Sequence, residues 1–219
     1  EAQAQAIFKS WFVDFEPWGG AMPEDWREGK LGEICGLVIR GITPKYSDAS
    51  NEIVLNQKCI RNHQVNIELS RKHIPKAIND KWLKYGDVLI NSTGQGTLGR
   101  AAQWFDNTKN VTVDSHITII RAKNQNQIYY IGRLIMESEH DIEKMAAGST
   151  GQTELSRERL KSMDIIVPTG DILAKFNLVL TPLCKLIVEN NQQSKTLSAI
   201  RDSLLPKLMN GEIKVPPEA

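Results

Sequence analysis

Two short polar loops carry side chains that could hydrogen-bond with a partner molecule. One covers residues 91–97 (NSTGQGT) and the other residues 148–152 (GSTGQ). Their amide and hydroxyl groups can hydrogen-bond with base edges, as a glutamine does with adenine, and glycines let the backbone approach a groove closely. Such turns are also common connectors, and they could instead pack the domain on a helix. The base-contact candidates are Asn91, Ser92, Thr93, Gln95, Thr97, Ser149, Thr150 and Gln152.

The basic residues are unevenly distributed, although the formal net charge is only +1. Between residues 40 and 84 there are nine Lys or Arg against four acids. Such a polarised field suits a face that meets phosphate, where cations position a domain without specifying sequence. A solvated surface with patchy charge is the alternative. The phosphate-contact candidates are Arg40, Lys45, Lys58, Arg61, Arg71, Lys72, Arg100, Arg157 and Arg159.

The sequence lacks the motifs of the catalytic sites that act on DNA. It has no Asn/Asp-Pro-Pro-aromatic segment for amine methylation and no GxxxxGK[ST] loop for ATP. The GxGxxG spacing at 94–99 is a weak dinucleotide signal because no long helical pattern follows it. Four histidines show no HExxH spacing, and three cysteines lie far apart, as expected of reduced thiols in a cytoplasmic protein. We therefore predict no catalytic residue, no metal and no cofactor.

The predicted elements around these loops are a mixture of helices and strands. A helix is predicted over 1–13, followed by a Pro/Gly cluster at 17–23. Strand-like runs occupy 34–39, 53–55, 87–90, 115–121 and 164–167, and helices are predicted over 126–138 and 153–163. No run of apolar residues is long enough for a membrane span, and the first residues do not resemble a signal peptide.

Residues 171–208 show a heptad pattern. The seam is the set of positions 172, 176, 179, 183, 186, 190, 193, 197, 200 and 204, which are apolar except for Asn190 and Gln193. Their strict 4-3 spacing predicts that the helix pairs with a second long helix. An amphipathic helix lying on its own domain is the alternative. Pro182 should kink the helix or mark its start. The predicted pairing residues are Leu183, Leu186, Asn190, Gln193, Leu197, Ile200 and Leu204.

Several segments together resemble one family. They are residues 26–34 (WREGKLGEI), 85–100 (YGDVLINSTGQGTLGR), 114–121 (DSHITIIR), 148–160 (GSTGQTELSRERL), 165–168 (IIVP) and 204–213 (LLPKLMNGEI). In this order they resemble the specificity subunits of type I restriction–modification systems. Residues 8–15 (FKSWFVDF) look like the end of that family's central helical region.

The resemblance implies an α+β fold, with a globular mixed α/β target-recognition domain followed by a long C-terminal coiled-coil helix. The expected domains are the end of a conserved helical region (1–16), the target-recognition domain (17–168) and the spacer helix with its tail (169–219). A full subunit in this family resembles two such units in tandem, whereas this sequence has one. It therefore resembles half of a subunit, either a fragment or a natural half that pairs with a copy of itself.

The implied function is non-catalytic reading of one half of a bipartite target in double-stranded DNA. The implied partners are methyltransferase (modification) subunits and, through them, the restriction subunit, with a homodimer expected of an isolated half and no membrane. A coiled-coil adaptor without DNA specificity is the rival interpretation, and an enzyme with unrecognised motifs is a third.

Overall fold

The computed structural model describes residues 1–75, 79–146 and 153–213. The helices are α1 (Ala2–Phe12), α2 (Leu31–Ile34), α3 (Ile128–Glu137), α4 (Glu139–Lys144), α5 (Arg157–Lys161) and α6 (Gly170–Met209). The strands are β1 (Arg27–Lys30), β2 (Cys35–Arg40), β3 (Glu52–Leu55), β4 (Ile60–Arg61), β5 (Gln64–Val65), β6 (Arg71–His73), β7 (Val88–Asn91), β8 (Ala101–Gln103), β9 (Val111–Val113), β10 (Ile117–Ala122) and β11 (Asp164–Val167).

A four-stranded antiparallel sheet in the order β2-β10-β7-β8 forms the centre of the domain. Its central strands are apolar at successive positions because both faces are covered. Ile120 packs into one core with α1, α3 and the first part of α6, whereas Ile117 and Ile119 pack into a second core with β3 and β9. Period-two alternation of the pleat sends neighbouring side chains to opposite cores.

Three smaller sheets complete the domain. A three-stranded sheet has the order β6-β3-β9, with β3 parallel to β9 and antiparallel to β6. The strand pair β1–β11 brings residues 27–30 next to 164–167, so the start and the end of the globular part meet. The pair β4–β5 is a short hairpin.

An aromatic cluster holds the N-terminal helix on the domain. The Phe12 ring lies with its centre 4.9 Å from the rings of both Tyr130 and Phe176, on α3 and α6. Trp18 and Trp26 extend the cluster with ring centres 4.8 Å apart. Edge-to-face packing of this kind adds about 0.5–1.5 kcal/mol per pair beyond the burial of apolar area.

The long helix α6 has two parts with different environments. Its first turns pack on the domain through Leu173, Phe176, Leu180 and Cys184, which are buried at a 3-4-4 spacing. Beyond Cys184 the large apolar side chains are exposed, except for the half-buried Ile187. With 40 residues, α6 is about 60 Å long, so its C-terminal half extends past the domain.

Three predictions about the elements need correction. The helix expected over 153–163 is limited to Arg157–Lys161, because Ser156 caps it and Glu154 forms an extended bridge with Thr93. Pro182 does not begin the long helix, which runs from Gly170 to Met209. The first turns of α6 pack on their own domain, as the alternative interpretation expects of an amphipathic helix. Among the buried residues of these turns, only Phe176 belongs to the predicted seam. The α+β fold with a long C-terminal helix is confirmed.

Candidate nucleic-acid interface

The topology of the main sheet brings the first polar loop to one end of the sheet. Strand β2 ends at Arg40 and β7 ends at Asn91, while the antiparallel strands β10 and β8 begin there with Ile117 and Ala101. The segments 92–100 and 114–116 therefore lie side by side. We call this end of the sheet, with these two segments, the loop end.

Asn91 and Ser92 are fully buried, which corrects the expectation that their side chains contact bases. The Ser92 hydroxyl lies 2.6 Å from the Thr118 hydroxyl, inside the sheet. The Asn91 amide donates to the main-chain oxygen of Gln57 at 3.3 Å. Because both side chains are used internally, they hold the root of the loop and do not face solvent.

Thr93, Gln95 and Thr97 lie on the accessible part of the loop, and Gln95 is exposed. The Thr93 hydroxyl lies 2.9 Å from Nδ1 of His116, and the Gln57 amide donates to the main-chain oxygen of Thr93. The tight turn depends on Gly94, which has a φ of +95° and where a Cβ would lie 2.5 Å from Oγ1 of Thr97. The result is a braced loop with a free glutamine amide at its tip.

The second polar loop has its root at the same place. Its candidates Ser149, Thr150 and Gln152 lie outside the described residues. Just after them, the Leu155 N–H donates to the Ser92 oxygen at 2.8 Å, and Glu154 bridges to Thr93. The tetrapeptide Ser-Thr-Gly-Gln occurs at both 92–95 and 149–152.

Arg40, a predicted phosphate contact, forms a clamp at the loop end. Its guanidinium donates to the main-chain oxygens of Ser115 at 3.0 Å and Leu155 at 2.8 Å, and to the Glu154 carboxylate at 2.6 Å. Burial lowers the pKa of Arg40, an effect that Glu154 opposes. With its donors engaged and its side chain 18% exposed, Arg40 joins three segments and has little left for a partner.

The other basic candidates are free of carboxylate partners within the described parts of the chain. By contrast, Arg27, Lys30, Arg121 and Arg133 each form an ion pair. Arg159 differs in donating to the Met145 oxygen at 2.8 Å. Unpaired cations on an accessible surface are what phosphate contacts require. The exposed candidates without an ion pair are Lys45, Lys58, Arg61, Arg71, Lys72, Arg157 and Arg159, and Arg100 is half-buried at the end of the first loop.

Sequence reasoning missed two polar side chains of the loop end. Gln57 follows β3, and His116 lies in the turn before β10; both touch Thr93. A single histidine carries no functional signal of its own, although the segment 114–121 that contains it resembles a family segment. The buried Asp114 accepts from the His116 N–H at 2.9 Å and so fixes that turn, while burial raises the pKa of the Asp114 carboxyl.

The described residues contain no group of three or more His, Cys, Asp or Glu that could hold a metal ion. Burial raises the pKa of Cys35 to about 12 and that of Cys184 to about 11, so these thiols are protonated at neutral pH and are poor nucleophiles. No helix among the described residues is long and apolar enough to cross a membrane.

A cavity of about 530 Å³ lies between α6 and the domain, and its lining includes Arg133 and Trp104.

Comparison with known families settles the class of protein. Residues 23–183 match the family model described as the type I restriction modification DNA specificity domain. The chain belongs to this family. The match includes β1 to β11 and the first turns of α6, and so contains the whole loop end.

Two curated members of type I systems are similar in sequence. The type I restriction enzyme MjaIX specificity subunit of Methanocaldococcus jannaschii is 28% identical over 98% of this chain and 53% of its own length. The type I restriction enzyme HindI specificity subunit of Haemophilus influenzae is 32% identical over 33% of this chain and 16% of its own length. The chain thus spans about half of the first specificity subunit.

Solved structures share the fold. The HsdS subunit from Thermoanaerobacter tengcongensis aligns over 97% of this chain and 51% of its own with a TM-score of 0.58 at 17% identity. The type I S subunit from M. genitalium aligns over 86% of this chain and 47% of its own, with a TM-score of 0.58 at 13% identity. The α+β domain with a long helix is therefore the fold of this specificity-domain family.

Proposed function

We propose that this chain reads one half of a bipartite DNA target and carries no catalytic step of its own. The observation that carries the proposal is that a member of the specificity-domain family has a braced polar loop as well as exposed cations without an ion pair among the described residues. Thr93, Gln95 and Thr97 contact base edges, together with Ser149, Thr150 and Gln152 of the second loop. Lys58, Arg61 and Arg100 are among the cations that hold phosphates.

A division of labour accompanies this proposal. The domain of residues 17–168 reads DNA, and the helical parts at 1–16 and 169–219 form a stalk. Methyltransferase subunits dock on the stalk and supply the methyl transfer, and the restriction subunit joins through them. The sequence supports this by lacking the motifs of methyl transfer and of ATP use.

The exposed half of α6 pairs with a second helix. Leu186, Leu197 and Ile200 are 52%, 65% and 47% exposed, which is unusual for leucine and isoleucine at heptad positions on a soluble helix without a partner. Because about half of each side chain is exposed, burying it stabilises an assembly by about 0.8–1.5 kcal/mol. In an isolated half of this kind, the second helix comes from another copy, so we propose a homodimer.

Binding to a library of duplex DNA with a randomised core, at several salt concentrations, tests the proposal. The protein is assayed alone and with the modification subunits of its own system. We expect enrichment of one half-site. An adaptor without specificity would show no enrichment and little dependence on salt. A methyl group transferred by this chain without those subunits would contradict the non-catalytic assignment.

Two variants separate base contact from phosphate contact. Gln95→Ala is expected to relax specificity at one position, at a cost of about 1–3 kcal/mol. Lys58→Ala is expected to weaken binding to all sequences alike and to lower the salt slope by about 1. If Gln95→Ala also weakened all sequences equally, the loop would not be reading bases.

A further inference from the structure

A stacked pair of exposed side chains lies on the edge of the three-stranded sheet. Residues 45–47 add to the outer side of β6: the Ser47 N–H donates to the Lys72 oxygen at 3.1 Å, and the Ile74 N–H donates to the Lys45 oxygen at 2.7 Å. This pairing places Tyr46 opposite His73. Side chains two residues apart on a strand share a face, so Tyr46, His73 and Arg71 lie on the same face.

The guanidinium of Arg71 lies over the ring of this tyrosine. Its Cζ is 3.4 Å from the centre of the Tyr46 ring, well inside the range of a cation–π contact. Tyr46 remains 41% exposed, and Arg71 is exposed. Stacking uses the face of the guanidinium and leaves the N–H donors around its edge available.

Two other arginines of the domain, Arg121 and Arg40, have their donors engaged. Arg121 donates to both oxygens of the buried Asp87 at 2.7 Å and to the main-chain oxygens of Asp80 and Trp82. Arg40 donates to two main-chain oxygens and one carboxylate. Within the described residues Arg71 forms neither an ion pair nor a hydrogen bond through its guanidinium, although it is held in place. An oriented arginine with unused donors is suited to a ligand with two adjacent acceptors.

A buried histidine lies opposite Tyr46 in the sheet. His73 is completely buried; its Nδ1 lies 2.9 Å from the Ile74 oxygen and its Nε2 lies 3.4 Å from the Glu52 carboxylate. Glu52 is the β3 partner of His73 in the sheet, so the row Tyr46–His73–Glu52 crosses the sheet edge. The backbone of Tyr46 is therefore held at a fixed position beside the buried His73.

We propose that Arg71 reads a guanine in the DNA target and that Tyr46 is its positioning residue. The N7 and O6 acceptors of guanine in the major groove match two N–H donors of a planar guanidinium. A phosphate contact does not need an arginine fixed on an aromatic ring, whereas base discrimination needs a fixed direction. Lys45 and Lys72 are exposed neighbours of the pair in sequence, and the alternation of side chains along a strand places them on the other face of the sheet edge. This assignment rests on the proposed function and replaces the expectation that Arg71 contacts phosphate.

The test measures the DNA preference of the protein assembled with its modification subunits, using the randomised duplex library. The variants are Arg71→Ala, Arg71→Lys, Tyr46→Phe and Tyr46→Leu, with Lys72→Ala as the matched control. We expect both Arg71 variants to lose a guanine preference of about 5- to 150-fold at one position and to retain the preferences elsewhere. Tyr46→Phe keeps the ring and the preference, whereas Tyr46→Leu reduces it. Lys72→Ala, which removes a neighbouring cation on the other face, keeps the guanine preference.

The outcomes separate this inference from the proposed function. If Arg71→Ala weakens all sequences equally and lowers the salt slope by about 1, Arg71 contacts phosphate and the inference is wrong, while the proposed function stands. If the unaltered protein enriches no sequence, both are wrong. If Tyr46→Leu does not fold, as checked by circular dichroism, the comparison of Arg71→Lys with Lys72→Ala decides the matter.

Discussion

Replacing Arg40 with methionine tests whether this arginine is an internal clamp. Methionine retains the length and apolar character of the side chain and removes all of its hydrogen bonds. The lost contacts are two charge-assisted bonds to main-chain oxygens, at 3.0 and 2.8 Å, and one 2.6 Å pair with Glu154. Each bond to a charged donor is worth about 1.5–3 kcal/mol. Water recovers part of this, and the Glu154 side chain is 64% exposed, so its pair contributes less than about 1 kcal/mol.

We therefore expect Arg40→Met to lower the free energy of unfolding by about 2–4 kcal/mol. For a chain of this size, that lowers the melting temperature by roughly 4–16 °C. Urea unfolding followed by circular dichroism measures the change. Glu154→Gln, which keeps an acceptor oxygen and loses only the charge, is the matched variant and should cost less than about 1 kcal/mol.

Two results would refute the reasoning. The first is an Arg40→Met protein as stable as the parent within about 0.5 kcal/mol, which is typical of an unconstrained surface position. The second is a loss no larger than that of Glu154→Gln. DNA binding adds a further check: Arg40→Met should leave the salt slope unchanged, whereas a phosphate contact would lower it by about 1.

Further predictions concern packing, pH and helix pairing. Gly41→Ala would place a Cβ against the main-chain oxygens of the neighbouring turn at 113–114 and should cost about 2–3 kcal/mol in urea unfolding; Gly170→Ala, which meets nothing within 4 Å, should change stability by less than about 1 kcal/mol. The Glu139 side chain raises the pKa of His63, so this pair adds stability that is fully present below the ordinary histidine pKa and is lost as pH rises through the raised value. Melting temperatures between pH 5 and 9 should show this loss in the parent but not in Glu139→Gln, which still accepts the Ala101 N–H; an unchanged profile would contradict the assignment. Asn190→Leu should tighten helix pairing and loosen its register, and sedimentation of parent and variant should show a larger associated fraction, whereas identical distributions would argue against the seam.

The first polar loop shows most clearly which features could be predicted from the amino-acid sequence. The turn residues at 92–97 and the strand before them could be predicted because glycine, serine and threonine have local conformational preferences. Which side chains face inward could not be predicted in the same way. Ser92 is buried against Thr118, a residue 26 positions away, whereas Gln95 is exposed. That difference depends on a strand from a distant part of the chain.

The short strands were also hard to predict. Strands β8 and β9 have three residues each and are held mainly by their neighbours in the sheets. A strand of this length has too few residues to show period-two alternation. The long helix α6, with a repeat that persists through many turns, could be predicted almost to its ends.

The mixed class of the domain, the long helix and the positions of the polar loops could be predicted from the amino-acid sequence, because these features depend on local patterns of residue type. Which basic residues have their donors used inside the domain depends on tertiary contacts. Arg40 and Arg71 are the same residue type in the same basic stretch, and nothing local distinguishes them. Arg40 ends a strand where three segments converge, so its donors are used within the domain. Arg71 begins an edge strand and stacks on Tyr46, 25 positions earlier in the chain, so its donors remain free for a partner.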